Sequence, residues 1–340
     1  MKDYTLKYGK GSVTFALDEA HVTELYGTPV PKIDDIRAAL YATLSSPVSH
    51  EPLESWVNPG DKVALIVSDM SRFWMRQDLV VPHIISYLTD KCDVNQNNIT
   101  IIIANGTHPG GDENELRTLV TDGVYDRIRV VNHDCQAKDL VYIGTTSLGT
   151  EVRINPIAAN ADKVIMLGAC TYHVMAGYGG GRKSILPGIS GLETIRQNHL
   201  HSLDLLAPRS NPLIGNGVTD GNPLNEDMCQ AAAMVKNLFG INLVTNADMQ
   251  LAHIISGDPM KSWQLACHRV DEIYRVPIVK KADVIITSCG GYPKDMSLYQ
   301  GTKIIDNVES GLNAGGTLIV LMEAVEGGGP PPSLQLGINI

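Results

Sequence analysis

The sequence predicts an α/β protein of two domains, each with a mainly parallel sheet flanked by helices, and a cleft between them. Three observations carry this prediction. Short runs rich in Val, Ile and Leu, with little alternation, recur at residues 63–67, 99–104, 164–167, 284–287 and 318–321. Continuous apolar runs of that length mark strands buried on both faces, as in parallel sheets. Helix-like stretches lie between them, at 33–44, 79–89, 113–121, 192–203, 225–238, 260–274 and 298–312, and this alternation is the pattern of a doubly wound architecture. The length of 340 residues suits two domains. A boundary is expected where the long helical stretch ends before Pro277, giving an N-terminal domain over 1–274 and a C-terminal α/β domain over 275–340.

Composition excludes several function classes. The chain is 44% hydrophobic and 19% charged, an ordinary globular balance that argues against disorder. A net charge of −10 lacks the basic footprint of a nucleic-acid binder. It also means that an anionic substrate must be held by local cations against the overall field. The six cysteines (Cys92, Cys135, Cys170, Cys229, Cys267 and Cys289) contain no CxxC pair, which fits free thiols better than a disulfide framework or a zinc site. No apolar run reaches the length of a membrane span. With no leader-like N-terminus either, the expected location is cytoplasmic, with no membrane partner.

The informative feature is where the unusual polar residues fall. Ser68, Asp69, Ser71 and Arg72 follow the first apolar run, and Asn105, Gly106, Thr107 and His108 follow the second. His173 and the loop 176–184 follow the third, and the cluster 288–294 follows the fourth. Ligands in open α/β sheets bind outside the carboxyl ends of the strands. The loop Ala-Gly-Tyr-Gly-Gly-Gly-Arg-Lys-Ser reads as a phosphate site, with glycines for close backbone approach and Arg182 and Lys183 for charge. It is neither a Walker A loop, because Arg182 stands where glycine must precede the lysine, nor a G-x-G-x-x-G fingerprint, because Arg182 fills its last slot. A flexible surface loop is the plain alternative.

His108 and His173 are candidate acid/base groups, since both lie just past a strand end. His21, His50, His83, His253 and His268 read as structural, as does His133, and His201 points to a different helix face from His199. Taken alone, His199 reads as an ordinary helix residue. Tyr299, Gln300 and Lys303 begin a helix-like stretch on which Tyr299 and Lys303 share a face, a grouping suited to a small carboxylate with an adjacent oxygen. An exposed helix start is the alternative reading.

Together these stretches resemble the lactate racemase family: Ser-Asp-Met-Ser-Arg at 68–72, Asn-Gly-Thr-His at 105–108, the run from His173 through Gly-Gly-Gly-Arg-Lys-Ser to Ile189, His199, and Tyr-Gln-Gly-Thr-Lys at 299–303. The resemblance covers about residues 10–327, and the His-x9-Lys-x15-His spacing around the Gly-rich core is its most specific part. The resemblance implies a nickel-pincer nucleotide, a mononucleotide of the pyridinium-3,5-bisthiocarboxylic acid type carrying Ni(II). It implies that Lys183 is joined to one arm through a thioamide and that His199 is the nickel ligand. Asp69, Arg72, Gly179, Gly180, Gly181, Arg182 and Ser184 are expected beside the cofactor. Arg72, Tyr299, Gln300 and Lys303 are expected beside the substrate, and His108 and His173 form the acid/base pair. The implied reaction is racemisation or epimerisation of a 2-hydroxy acid (lactate-like, malate-like or a sugar acid) by reversible hydride transfer from C2. Cofactor-biosynthesis enzymes are the implied partners, and a homo-oligomer is compatible with the sequence.

Two departures qualify the resemblance. Family members commonly continue with prolines after the arginine at position 72, whereas here Phe73, Trp74, Met75 and Arg76 follow. These residues either reshape the pocket, for example for a longer or dianionic acid, or simply repack a helix start. Members also continue beyond the strand ending at Leu321, whereas this chain turns into Gly-Gly-Gly-Pro-Pro-Pro from Gly327, so the C-terminal domain reads as incomplete. A non-catalytic homologue that binds the nucleotide is therefore an alternative, and a nicotinamide-dependent oxidoreductase is a weaker one.

Overall fold

A computed structural model of the chain describes residues 1–292 and 294–328; the side chain of Tyr299 lies outside the described part. Strands are numbered in chain order. Helices of eight or more residues are labelled, and shorter ones are given by range.

Thr28–Ile273 forms the larger of two compact units. Its sheet contains β3 (Val63–Ser68), β4 (Ile99–Ala104), β5 (Arg129–Asn132), β8 (Lys163–Ala169), β11 (Leu238–Thr245) and β12 (Leu251–Gly257), in the spatial order β12-β11-β8-β3-β4-β5. All neighbours run parallel except β12, which is antiparallel to β11. Two small hairpins stand outside this sheet: β6 (Val141–Thr145) with β7 (Glu151–Ile154), and β9 (Tyr172–His173) with β10 (Gly177–Tyr178). The labelled helices are α1 (Ile36–Ser45), α2 (Val81–Asp90), α3 (Glu113–Val120), α4 (Leu192–Leu200), α5 (Pro223–Ala233) and α6 (Pro259–Tyr274).

Apolar residues on both pleat faces explain why the central strands sit inside. Leu65, Ile101, Ile103, Ile165 and Leu167 pack with Leu40 and Leu44 of α1 and Ile84, Ile85 and Leu88 of α2 in one core. The intervening Ala64, Ile66, Ile102, Val164 and Met166 are equally buried, so the sheet is covered on both sides. At roughly 1.5–3 kcal/mol for each fully buried large aliphatic side chain, this core fixes the strand ends on which the polar clusters sit.

From β3 the chain moves to β4 and β5 on one side, then returns to place β8 on the other. The carboxyl ends of β3 and β8 therefore flank a topological switch point, the usual ligand position in such sheets. Among the described residues, no helix is long and apolar enough to cross a membrane.

The second unit comprises Met1–Gly27 and the chain from Tyr274 onward. Its β13 (Ala282–Ser288) and β14 (Leu312–Leu321) pair in parallel. The hairpin of β1 (Lys2–Tyr8) and β2 (Gly11–Leu17) belongs with them rather than with the residues that follow it in sequence. Backbone contacts explain the grouping. The Ser288 hydroxyl donates to the Lys7 carbonyl. Tyr292 N–H donates to Gly9 O at 2.8 Å, and Gly9 N–H donates to Asp295 Oδ2 at 2.7 Å. The linear division at 274 is corrected accordingly: the first 27 residues fold with the C-terminal segment. The expected helix over 298–312 is broken into Leu298–Gly301 and Lys303–Val308 and gives way to β14 at Leu312. Residues 329–340, on which much of the incomplete-domain expectation rests, lie outside the described residues.

Candidate active site

The first cluster lies beyond β3. Gln77 is fully buried and closes the strand end, accepting from Ser68 N–H at 3.1 Å and donating to Ser68 O at 2.9 Å. Asp69 follows directly. Its Oδ2 meets His108 Nδ1 at 2.6 Å, and its Oδ1 accepts from the Ser71 hydroxyl at 2.7 Å. Arg72 donates to that same Ser71 hydroxyl at 3.1 Å, so cation, hydroxyl, carboxylate and imidazole form one chain. Burial works against ionisation of Asp69, but the hydrogen bond and charge of His108 outweigh it and hold the carboxyl below the usual range. Both Asp69 oxygens are thus committed to protein groups. The expectation that Asp69 contacts the cofactor is corrected: it orients His108 and ties Nδ1, leaving Nε2 for chemistry.

The residues after Arg72 repack rather than reshape. Met75 is fully buried, and Phe73 and Trp74 pack against the core. Arg76 pairs with Asp78 through two hydrogen bonds, at 3.0 and 2.9 Å, so its charge is already met.

The second cluster lies beyond β8. His173 on β9 has its Nε2 3.2 Å from Lys183 Nζ, and its Nδ1 accepts from the N–H groups of Met175 and Ala176 at 3.3 and 3.2 Å. Lys183 sits in the 3-10 turn Gly181–Ser184, with Ser184 buried beside it. Gly180 and Gly181 have φ of +70° and +51°, and a Cβ at Gly181 would stand 2.7 Å from Trp263 Cγ. Glycine is therefore required there by close packing on the protein itself. Gly179 likewise accepts from the Trp263 indole N–H at 2.9 Å.

Arg182 overturns its expected role. The guanidinium is completely buried and stacks on Trp263, 3.8 Å from the ring centroid. Nε and Nη2 donate to Asn225 Oδ1 at 3.0 and 2.7 Å, and Nη2 also donates to Ala176 O at 2.7 Å. Nη1 donates to the carbonyls of Tyr178 (2.8 Å), Gly180 (3.3 Å) and Gly179 (3.4 Å). All five N–H donors are engaged, so Arg182 is not a phosphate ligand. It winds the loop that carries His173 and Lys183.

The third element is His199, near the end of α4. Its Nδ1 donates to Ile195 O at 2.9 Å, which leaves the ring's lone pair at Nε2. Burial pushes its pKa down to about 4, and a charge on Lys183 acts in the same direction, which places the two side chains in one neighbourhood. The preceding Asn198 anchors the helix by donating to Asp227 Oδ2 at 2.8 Å. In the smaller unit, Lys303 Nζ donates to Gln300 Oε1 at 2.6 Å, and the break at Thr302 puts Tyr299 and Lys303 on separate helical turns. His133 proves structural, with Nε2 donating to Ser190 O at 2.9 Å.

Sequence reasoning missed Gln77, Asn225, Asp227 and Trp263. None stands in a motif, and each acts from a different element on a loop or strand end. The one usable signal was the Gly-rich loop's need for a buried support.

Comparison with known proteins follows from this geometry. A family model described as the lactate racemase N-terminal domain matches residues 8–209, and one described as the lactate racemase C-terminal domain matches 278–332. The lactate racemase of Thermoanaerobacterium thermosaccharolyticum is 29% identical over 338 residues, covering 97% of this chain and 76% of that protein. The lactate racemase of Lactiplantibacillus plantarum is 28% identical over 329 residues, covering 95% and 75%. The structure of the lactate racemase apoprotein from T. thermosaccharolyticum superposes with a TM-score of 0.87 at 27% identity, covering 97% of this chain and 76% of that one. A Thermotoga maritima structure shares the fold at a TM-score of 0.57 and 18% identity, over 74% of this chain and 61% of that one.

Two outcomes are expected. Arg182→Met should destabilise the larger unit by about 3–5 kcal/mol in chemical denaturation, because it strands buried acceptors, and Arg182→Lys should not restore it, because an ammonium lacks the planar fork. The pH dependence has a defined sign. Asp69, with its pKa depressed in the fold, stabilises fully above the unfolded value of about 3.9, and that contribution is lost as pH falls through the folded value. The gap in melting temperature between wild type and Asp69→Asn should therefore narrow as pH falls below about 4.

Proposed function

We propose that this chain, which belongs to the lactate racemase family, interconverts the two configurations at C2 of a small 2-hydroxy acid, with lactate the first substrate to assay. The observation that carries the reading is the pair of imidazoles at neighbouring strand ends. Each is oriented through Nδ1, His108 by Asp69 and His173 by two backbone N–H groups; this leaves Nε2 of His108 for proton transfer and turns Nε2 of His173 to Lys183 Nζ at 3.2 Å. A reaction that must serve both faces of a carbon needs two such groups.

The residues also fit the nickel-pincer nucleotide that the resemblance implies. Among the described residues, no cluster of three or more His, Cys, Asp or Glu is arranged to hold a metal. A nickel here would take one imidazole from the chain and its remaining donors from the nucleotide. His199 suits that part: its Nδ1–H is committed to Ile195, and burial keeps the ring in the neutral form that ligates. Imidazole with soft sulfur donors is a sensible set for Ni(II). Lys183 would hold the nucleotide covalently, on the turn shaped by Gly179, Gly180, Gly181 and Ser184. When bound, the group supplies a reversible acceptor for the hydride of C2.

The chain's own residues do the rest. Arg72 engages the substrate carboxylate by charge-assisted hydrogen bonds. His108 Nε2 takes the hydroxyl proton of one configuration while Asp69 stabilises the imidazolium that forms, and His173 serves the other configuration. Because Arg76 is satisfied by Asp78, one cation is left beyond β3, which favours a monoanionic acid over a dianionic one. Cofactor-biosynthesis enzymes are the partners that the loaded form requires.

The test is co-expression with the enzymes that make the nucleotide, followed by metal analysis and chiral chromatography of L-lactate. Wild type is expected to retain stoichiometric nickel and racemise lactate. His199→Ala should lose the nickel, and His108→Gln should keep it while slowing racemisation by about 10²–10⁴-fold. Folded wild-type protein with neither nickel nor racemase activity would overturn the proposal.

A further inference from the structure

We infer that Asp271 is a positioning residue for His173: through two tyrosine hydroxyls it fixes the short hairpin that carries the imidazole. The inference rests on the reading above in so far as His173 is one of the two proton-transfer groups. The hairpin is too short to hold itself. Its strands β9 and β10 have two residues each, paired as Tyr172 with Tyr178 and His173 with Gly177, and even a longer two-stranded hairpin is marginal alone in water. What grips its two ends therefore decides where His173 stands. The turn end is pinned by side chains: Asn222 Nδ2 donates to Met175 O at 2.9 Å, and Arg182 Nη2 donates to Ala176 O at 2.7 Å. The open end has one further backbone bond, from Gly179 N–H to Thr171 O at 2.7 Å.

Asp271 holds that open end to α6. Tyr172 and Tyr178 face each other across the ladder, with ring centroids 5.4 Å apart. Their hydroxyls converge on one atom: Asp271 Oδ1 accepts from Tyr172 at 2.7 Å and from Tyr178 at 2.6 Å. A single carboxylate oxygen thus takes a donor from each strand. Hydrogen bonds to an ionised acceptor are about twice as strong as neutral ones, so the tether is firm. Successive residues of a strand point to opposite sides. Tyr172, turned toward α6, therefore sets its neighbour His173 the other way.

The helix aligns Asp271 for this task. Trp263, Cys267 and Asp271 are spaced four apart and share one face of α6. Trp263 donates its indole N–H to Gly179 O at 2.9 Å and carries the Arg182 guanidinium on its ring. Cys267 Sγ lies 3.7 Å from the Sγ of Cys170, just past the end of β8. The row thus touches the Gly-rich loop, the residue after β8 and the hairpin in turn, and Asp271 is its member bonded to both strands of the hairpin. With that carboxylate removed, the hairpin can hinge about its pinned turn and carry His173 with it. A misplacement of about 1 Å at a reacting group can cost about a hundredfold in rate, although Asp271 itself is one step removed from the imidazole.

The experiment compares Asp271→Leu, which removes the acceptor at similar size, with Asp271→Asn, which keeps an acceptor oxygen. In unloaded protein, hydrogen exchange is read by mass spectrometry over residues 172–178, which include the Met175 and Ala176 amides that donate to His173. In protein loaded by co-expression, kcat for lactate is read per bound nickel, beside KM. Asp271→Leu should exchange about tenfold faster over 172–178 with β3 and β4 unchanged, and lose about ten- to a hundredfold in kcat while KM stays within about twofold. Asp271→Asn should stay within about threefold of wild type in exchange and in kcat. The double variant Tyr172→Phe/Tyr178→Phe keeps both rings and should reproduce Asp271→Leu, so a leucine variant that fails to fold leaves the test in place. Wild-type exchange or wild-type kcat in the double variant, or an asparagine variant as impaired as the leucine one, would overturn the inference. Faster exchange in the variants, beside a wild type that takes up nickel but does not racemise lactate, would overturn the racemase reading and leave the hold of Asp271 on the hairpin standing.

Discussion

A guanidinium cannot be left in a protein interior without acceptors, and much of this site is arranged around that requirement. Arg182 is completely buried, and the groups that satisfy it are mostly backbone carbonyls from one short loop. Charge in the interior thus dictates backbone path. Residues 176–180 must curl so that their carbonyls converge, which is possible only because Gly180 and Gly181 tolerate positive φ and leave room for Trp263. The same curl sets the backbone N–H groups that orient His173 and the turn that lifts Lys183. Burial lowers the proton affinity of Arg182, yet arginine stays charged in proteins, so the loop has no relaxed alternative in which its acceptors are released.

The sheet supplies the second level of order. Strands β8, β3 and β4 are neighbours in parallel, so three successive loops emerge at one end at strand spacing. One hydrogen bond, from Gly106 N–H to Gly188 O at 2.9 Å, ties the loop carrying His108 to the segment following Lys183. Positions that lie far apart in sequence are thereby held by a rigid core rather than by their own flexible loops, as expected where catalytic geometry must be kept within fractions of an ångström.

The central parallel strands were legible because Val63–Ser68, Ile99–Ala104 and Lys163–Ala169 are buried on both faces and so carry unbroken apolar runs. The next such run, Leu238–Thr245, was lost because its first residue had been absorbed into the preceding helical stretch, although all eight of its residues are buried. The hairpin β1–β2 was invisible for a different reason: its residues are largely exposed, so no core pattern marks them. In the site, position just past a strand end singled out His108 and His173, the Gly-rich loop singled out Lys183, and His199 was reached only through the resemblance. Direction was not legible, because a single sequence does not say which way a side chain turns. Asp69 and Arg182 were placed toward a ligand, and the structure turns both to the protein, one to His108 and the other to the loop's own carbonyls.

The grouping of the first 27 residues with the last strands has a consequence for synthesis. The hairpin is made long before β13, which begins only at Ala282. At about 5–20 residues per second the interval is roughly 15–55 s. A two-stranded hairpin is only marginally stable alone in water. Meanwhile every strand of the six-stranded sheet has been made, so that sheet can close while the hairpin waits. The order of assembly is thus the reverse of the order of translation at this one point, and the hairpin is among the last parts to find its place.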